Sequence, residues 1–277
     1  MKRKETISAV IKTLILGALA GLFILPLVWM FFSSFKHAGD IFGAHFQWLP
    51  KEWRWQNYVA VWTDSRNSMF DAYRNTGYIA IMSIICQLTF ASMAAYAFAK
   101  INFKGKNFIF TMFLTTMMIP FEVTLIPRWM MFKSIGLYNN HWAIILPHWF
   151  TASGMFMLRQ FYMGLPNDLM EAAKIDGASH PQIFARIMLP LTKSALISQM
   201  ILTFVNTWNE YMAPLVFLVN KKMYTLSQNI KMFLMEDYMR YDYAMAASCS
   251  AILPVIIIFI FCQKYFVEGI ATSGVKG

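Results

Sequence analysis

Residues Glu171–Pro190 read EAAKIDGASHPQIFARIMLP, a polar and amphipathic stretch in an otherwise apolar chain. Upstream, 134–158 holds no Asp, Glu, Lys or Arg, and downstream 194–220 holds only Glu210. A polar segment between two such runs reads as a docking surface on one side of a membrane. The runs further out agree. A bilayer crossing takes about 20 mostly apolar residues as helix. Residues 14–35, 76–99 and 243–263 carry no charge, and 107–127 carries only Glu122. The pattern predicts an all-α polytopic membrane protein. It has six spans, near 13–33, 76–99, 107–127, 138–159, 194–219 and 243–264, in a single domain over 1–277.

Composition supports the class. Hydrophobic residues make up 58% of the 277 and charged residues 14%, against roughly 25% charged in soluble domains. Lys2, Arg3, Lys4 and Lys12 precede the first span, and Lys100, Lys104 and Lys106 follow the second. The positive-inside rule puts both groups on the cytoplasmic side. An even number of spans then leaves both termini cytoplasmic. The net charge of +10 is mainly this topology signal. A clustered basic face on a soluble domain, as nucleic-acid binding needs, is missing. The first span has a basic start, but its apolar run is too long for a signal peptide and no A-x-A-like site follows, so it reads as an uncleaved anchor. Cys86, Cys249 and Cys262 fall within spans and read as small apolar residues. Trp48, Trp53, Trp55 and Trp62 crowd the first outer loop, as interfacial anchors do.

Within the polar segment, Leu165-Pro166-Asn167-Asp168 signals a helix start, with a short helix over 168–175. Asp176-Gly177 signals a turn. Ser179 and Gln182 fit a capping box, with Pro181 in the first turn of a second helix. That helix should expose Phe184 and Ile187 and stop near Pro190. The product is a helix-turn-helix elbow over 166–190 that presents Glu171 at its bend. From the residues alone, a docking elbow and an ordinary loop with an interfacial helix both stay open.

The string E-A-A-x-x-D-G-A-S…F…I-x-L-P resembles the EAA loop of the membrane subunits of ATP-binding-cassette (ABC) importers. Asn206-Thr207-Trp208-Asn209-Glu210-Tyr211 with Pro214-Leu215, and the ending Gly274-Val275-Lys276-Gly277, narrow the resemblance to MalG-like permease subunits of carbohydrate importers. It covers nearly the whole chain. It implies a channel subunit in the cell membrane of a prokaryote, working by alternating access. The implied partners are a second homologous permease, two cassette ATPase subunits that bind ATP and Mg, and an extracytoplasmic sugar-binding protein. Glu171, Ala172, Ala173, Asp176, Gly177 and Ala178 would couple the channel to the ATPase, with Lys276 and Gly277 as weaker contacts.

A substrate path is sought in the fifth span. Glu210 is an acid inside an apolar run, which is costly unless it faces a cavity or a partner. Thr203, Asn206 and Glu210 share one helical face, with Asn209 beside it. Pro214 frees the Glu210 carbonyl. Together with Trp208 and Tyr211, this patch suits a hydroxyl-rich ligand, while polar glue between helices is the other reading. For Glu122, a gate and a structural staple are both open. His141 and His148, without a nearby acid or Cys, make a poor metal site. No P-loop, H-E-x-x-H or G-x-S-x-G occurs, so the expectation is a chain with no catalytic residues, no metal and no cofactor of its own. Three rivals remain: a gradient-driven transporter using Glu210, a membrane-embedded enzyme, and an importer of the same type for a phosphorylated polyol.

Overall fold

The computed structural model describes residues 2–43, 45–235 and 239–274. Every regular element among them is a helix. Two compact units form, one from Met1–Met69 with Asn229–Leu253 and one from Phe70–Gln228 with Pro254–Gly277.

Three helical stretches are long and apolar enough to cross a membrane unbroken: Thr6–Ser33, Met69–Lys100 and Tyr241–Tyr265. Two bent pairs are apolar enough to be broken spans or re-entrant stretches: Lys106–Met118 with Phe121–Ser134 at 99°, and His180–Leu191 with Lys193–Asn209 at 78°. The other three expected spans are therefore not single rods, and each break has a local cause. In 107–127 the break falls at Ile119 and Pro120, both extended. Proline lacks an N–H and pushes its predecessor out of the helical region. In 138–159 the chain forms Trp142–Ile145, a 3-10 turn Leu146–His148 around Pro147, and then Ala152–Gly164 after an extended Thr151. In 194–219 helix Lys193–Asn209 stops at an extended Glu210, and Met212–Phe217 starts afresh.

In the first unit, the middle of helix Thr6–Ser33 has no buried residue. A helix that is apolar all round suits a lipid surround. The chain then turns around Phe35, which is 2% exposed. Trp55, Trp53 and Tyr58 lie at 4.7, 5.2 and 5.2 Å from its ring. Two of the four tryptophans Trp48, Trp53, Trp55 and Trp62 thus also brace this turn. Asn57 Nδ2 locks it by donating to the carbonyls of Ser34 (2.8 Å) and Lys36 (3.0 Å). Lys36 donates to the Gln47 carbonyl; burial pulls its pKa below the ordinary lysine value, against the pull of Asp40.

The second unit has two apolar cores. One gathers Ala91, Ala95 and Tyr96 with Leu158, Tyr162, Ile183 and Met188. The other gathers Ile79, Phe132, Ile144, Ile145 and Phe217. Asn139, at φ 56°, aids the second by donating its N–H to the Phe217 carbonyl at 2.9 Å. Asn tolerates this left-handed geometry better than most residues. Cys86, Cys249 and Cys262 are unpaired.

Candidate functional site

The elbow forms as its local signals dictate. Its first helix is Asp168–Ile175. Gly177 sits at φ 81°, where a side chain would strain the backbone. The N–H of Ser179 donates to Gln182 Oε1 at 2.8 Å, half of the capping box. The second helix begins at His180, widens into a π turn over Phe184–Met188, and ends with Leu189–Leu191. Its end is Thr192, just past Pro190, where the chain bends. Thr192 Oγ1 donates to the Met188 and Leu189 carbonyls there, at 3.2 and 3.0 Å.

Burial divides the elbow into a stem and a tip. Met170, Ala173 and Ile183 are buried in the first core. Glu171, Ala172, Asp176 and Gly177 are exposed, and Ile175 is 87% exposed. Ala178 is half-buried and donates its N–H to the Ala173 carbonyl at 2.9 Å. The expected exposure of Phe184 and Ile187 does not occur. Phe184 packs its ring 5.3 Å from Tyr96 and 6.5 Å from Tyr162, and Ile187 joins the same core. Tyr96 of helix Met69–Lys100 and Tyr162 of helix Ala152–Gly164 make an aromatic socket for Phe184, which no local pattern announces.

Lys100 anchors the elbow. Its Nζ donates to the Leu165 carbonyl at 2.6 Å and to Asn167 Oδ1 at 2.7 Å. Tyr96 OH lies 3.3 Å from His180 Nδ1 and 3.7 Å from Met170 Sδ. The foot of helix Met69–Lys100 thereby holds both elbow helices.

The fifth-span residues do not form one polar face. Thr203 is buried and donates to Gln87 Oε1, while Gln87 Nε2 donates to Thr151 Oγ1. Gln199 Nε2 completes the set by donating to Thr203 Oγ1 at 3.3 Å. Gly154 sits among these groups, with ideal Cβ distances of 2.6 Å to Gln87 Nε2 and 2.8 Å to Thr151 Oγ1. This is polar glue between helices. The glutamines, Thr151 and Gly154 escape a reading of single segments, because their partners lie on three different helices. Asn206 and Asn209 are exposed instead, and Asn209 Nδ2 donates to the Val205 carbonyl at 2.8 Å. Trp208 is buried, stacked 5.0 Å from Phe204 and edge-on to Tyr73 at 5.8 Å. Glu210 has left the helix; its Oε1 accepts from the Ala213 N–H at 3.1 Å and caps Met212–Phe217. Arg128 and His148 lie within its electrostatic reach. Tyr211 is half-buried beside it.

Glu122 is exposed in the first turn of Phe121–Ser134, where an acid suits the helix dipole. His141 Nε2 lies 3.0 Å from the Met223 carbonyl and His148 Nδ1 2.9 Å from that of Ile144. Both rings have structural hydrogen bonds. Lys276 and Gly277 lie outside the described residues.

Residues 87–272 match the family described as binding-protein-dependent transport system inner membrane component. The arabinooligosaccharides transport system permease protein AraQ of Halalkalibacterium halodurans is 34% identical over 280 residues, covering 100% of both chains. The sn-glycerol-3-phosphate transport system permease protein UgpE of Pectobacterium atrosepticum is 29% identical and covers 94% of both. A chain in the crystal structure of a bacterial ABC transporter involved in import of the acidic polysaccharide alginate superposes with a TM-score of 0.81. It shares 24% identity, over 95% of this chain and 98% of that one, a likeness of fold.

Proposed function

We propose that this chain, which belongs to the family of binding-protein-dependent transport system inner membrane components, is one of two permease subunits of an ATP-driven oligosaccharide importer. Similarity over the full length, at 34% identity, to an arabinooligosaccharide permease is the observation that carries the sugar reading. The chain crosses the cell membrane with both termini in the cytoplasm, and six crossings result if the broken 142–164 segment makes one of them. It catalyses no reaction itself. Two partner ATPase subunits bind and hydrolyse ATP with Mg, and a binding protein outside delivers the sugar.

The elbow is the coupling element. Its exposed tip, Glu171, Ala172, Ile175, Asp176 and Gly177, offers an acid, an apolar side chain and a bare backbone bend to a groove on an ATPase. The carboxylate pairs with a basic group and Ile175 fills an apolar hollow. Closure of the ATPase dimer on ATP pushes the tip, and the buried stem passes the push to Lys100 and Tyr96. The channel then opens outward to take sugar, and hydrolysis resets it. Asn206, Asn209 and Tyr211, exposed or half-buried on the fifth span, offer amide and hydroxyl groups along the path, while Trp208 and Glu210 shape its wall.

Gradient-driven transport fits less well, because Glu210 Oε1 is engaged as a helix cap by the Ala213 N–H. The test is a mild-detergent pull-down of the tagged chain from its native membrane, with partners identified by mass spectrometry. A cassette ATPase and a second permease in comparable amounts is the expected result. Recovery of the chain alone, or only with itself, would sink the proposal.

A further inference from the structure

The turn after helix Met69–Lys100 concentrates positive charge with no carboxylate partner among the described residues, although Arg159 lies over the Phe110 ring at 4.1 Å. Lys100 ends that helix, Lys104 lies in the turn, Lys106 opens helix Lys106–Thr115, and Arg159 comes from helix Ala152–Gly164. Lys100 and Lys106 are close enough to repel each other, as are Lys106 and Arg159. Their hydrogen bonds go to neutral acceptors. Lys106 Nζ donates to the Ala99 carbonyl at 3.2 Å, Arg159 Nε to that of Phe98 at 3.1 Å, and Lys100 to Leu165 and Asn167. Among the described residues, none of these four cations forms an ion pair. Partly buried like charges are costly when no counter-ion is near.

A shallow, largely open hollow of about 350 Å³ lies at this turn, between Asn102 and Phe108, with Lys106 as the one cation in its wall and the others around it. Gly105, at φ 79°, makes the bend that shapes it. Directly beside it runs an apolar strip. Phe108 is 68% exposed and Met112 is 55% exposed, four residues apart on one face of helix Lys106–Thr115. A free anion has no use for that strip. A molecule with a negative head and apolar tails uses both parts, and basic pockets at the cytoplasmic ends of spans suit such headgroups.

We infer that this open hollow seats the phosphate headgroup of an anionic phospholipid, with its acyl chains along Phe108 and Met112. The inference needs only a membrane protein, and stands whether or not the cargo is a sugar. Because Lys100 belongs both to this basic group and to the elbow anchor, the lipid would firm up the foot on which the elbow stands.

The test uses the full chain, purified in mild detergent with whatever partners accompany it. Phosphatidylglycerol or phosphatidylcholine is added, and retained lipid is counted by native mass spectrometry. Wild type should keep phosphatidylglycerol in preference. Lys104→Gln and Lys106→Gln should each lower its retention about fivefold, while Lys106→Arg keeps it. Lys12→Gln, removing an exposed lysine elsewhere, should change nothing. Lys104 is exposed, so its variant retains the fold and carries the test if Lys106→Gln is unstable. Equal retention of the two lipids, an equal loss with Lys12→Gln, or displacement of the lipid by inorganic phosphate alone would each overturn the inference.

Discussion

The elbow and the kink at Glu210 both interrupt apolar chain with polar residues, and they use those residues in opposite ways. In the elbow, the stem is buried and the polar tip is exposed, with Glu171 and Asp176 facing outward. At the kink and in the helix leading to it, polar groups turn on one another. Thr203, Gln87 and Gln199 bond among themselves, and Glu210 caps its own next helix. The difference separates polar groups that hold this chain together from those available to another chain. The elbow turns its polar groups outward; the Gln87–Thr203 layer keeps its own turned on one another.

Substitutions can break or sharpen this contrast. The largest effect should come from Gly154→Val. Its Cβ would press into Gln87 and Thr151, and such overpacking costs about 2–3 kcal/mol. The thermal midpoint of the purified protein in detergent should fall accordingly, and an unchanged midpoint would mean that the polar layer is loose. Next comes Ile175→Asp at the elbow tip. A central apolar anchor is worth about 2 kcal/mol at an interface, roughly thirtyfold in affinity. ATPase recovery in the pull-down should drop by that order while the midpoint holds, because Ile175 is 87% exposed. A lowered midpoint with normal recovery would make the tip structural. Gly177→Ala should cost about 1 kcal/mol through its left-handed backbone alone, as nothing lies within 4 Å of a Cβ there. Uptake and stability measured together would show a modest loss of both. The smallest effect belongs to Thr203→Val. Interhelical hydrogen bonds inside membrane proteins average ~0.6 kcal/mol, so the midpoint should slip slightly with uptake intact. Loss of uptake at full stability would place Thr203 in the path.

Signals that act within a few residues are legible in the sequence. Gly177, the Ser179–Gln182 pair and the start at Asp168 gave the elbow its boundaries, because each works on its own backbone. Charge-free runs of sufficient length likewise mark 14–35, 76–99 and 243–263 as helices. The interrupted runs are different. Helix continuity at 119–120, 146–151 and 210 turns on how a proline or a polar side chain is used locally, as where Glu210 accepts from the Ala213 N–H three residues on, and an apolar run does not show which use wins. Packing partners are the distant part: Thr203 finds Gln87 from 116 residues away. Phe184 and Ile187 look like an exposed apolar face until Tyr96 and Tyr162 arrive to cover them.

Lys100 gives the molecule a lever. Two hydrogen bonds fasten the start of the elbow to the last residue of a 32-residue helix. At about 1.5 Å per residue that helix is about 48 Å long, so its far end magnifies what its foot does. A tilt of about 5° at the foot would sweep the opposite end through about 4 Å at that length. A small displacement of the elbow would thus become a larger one at the far end of the helix, without any helix having to unwind.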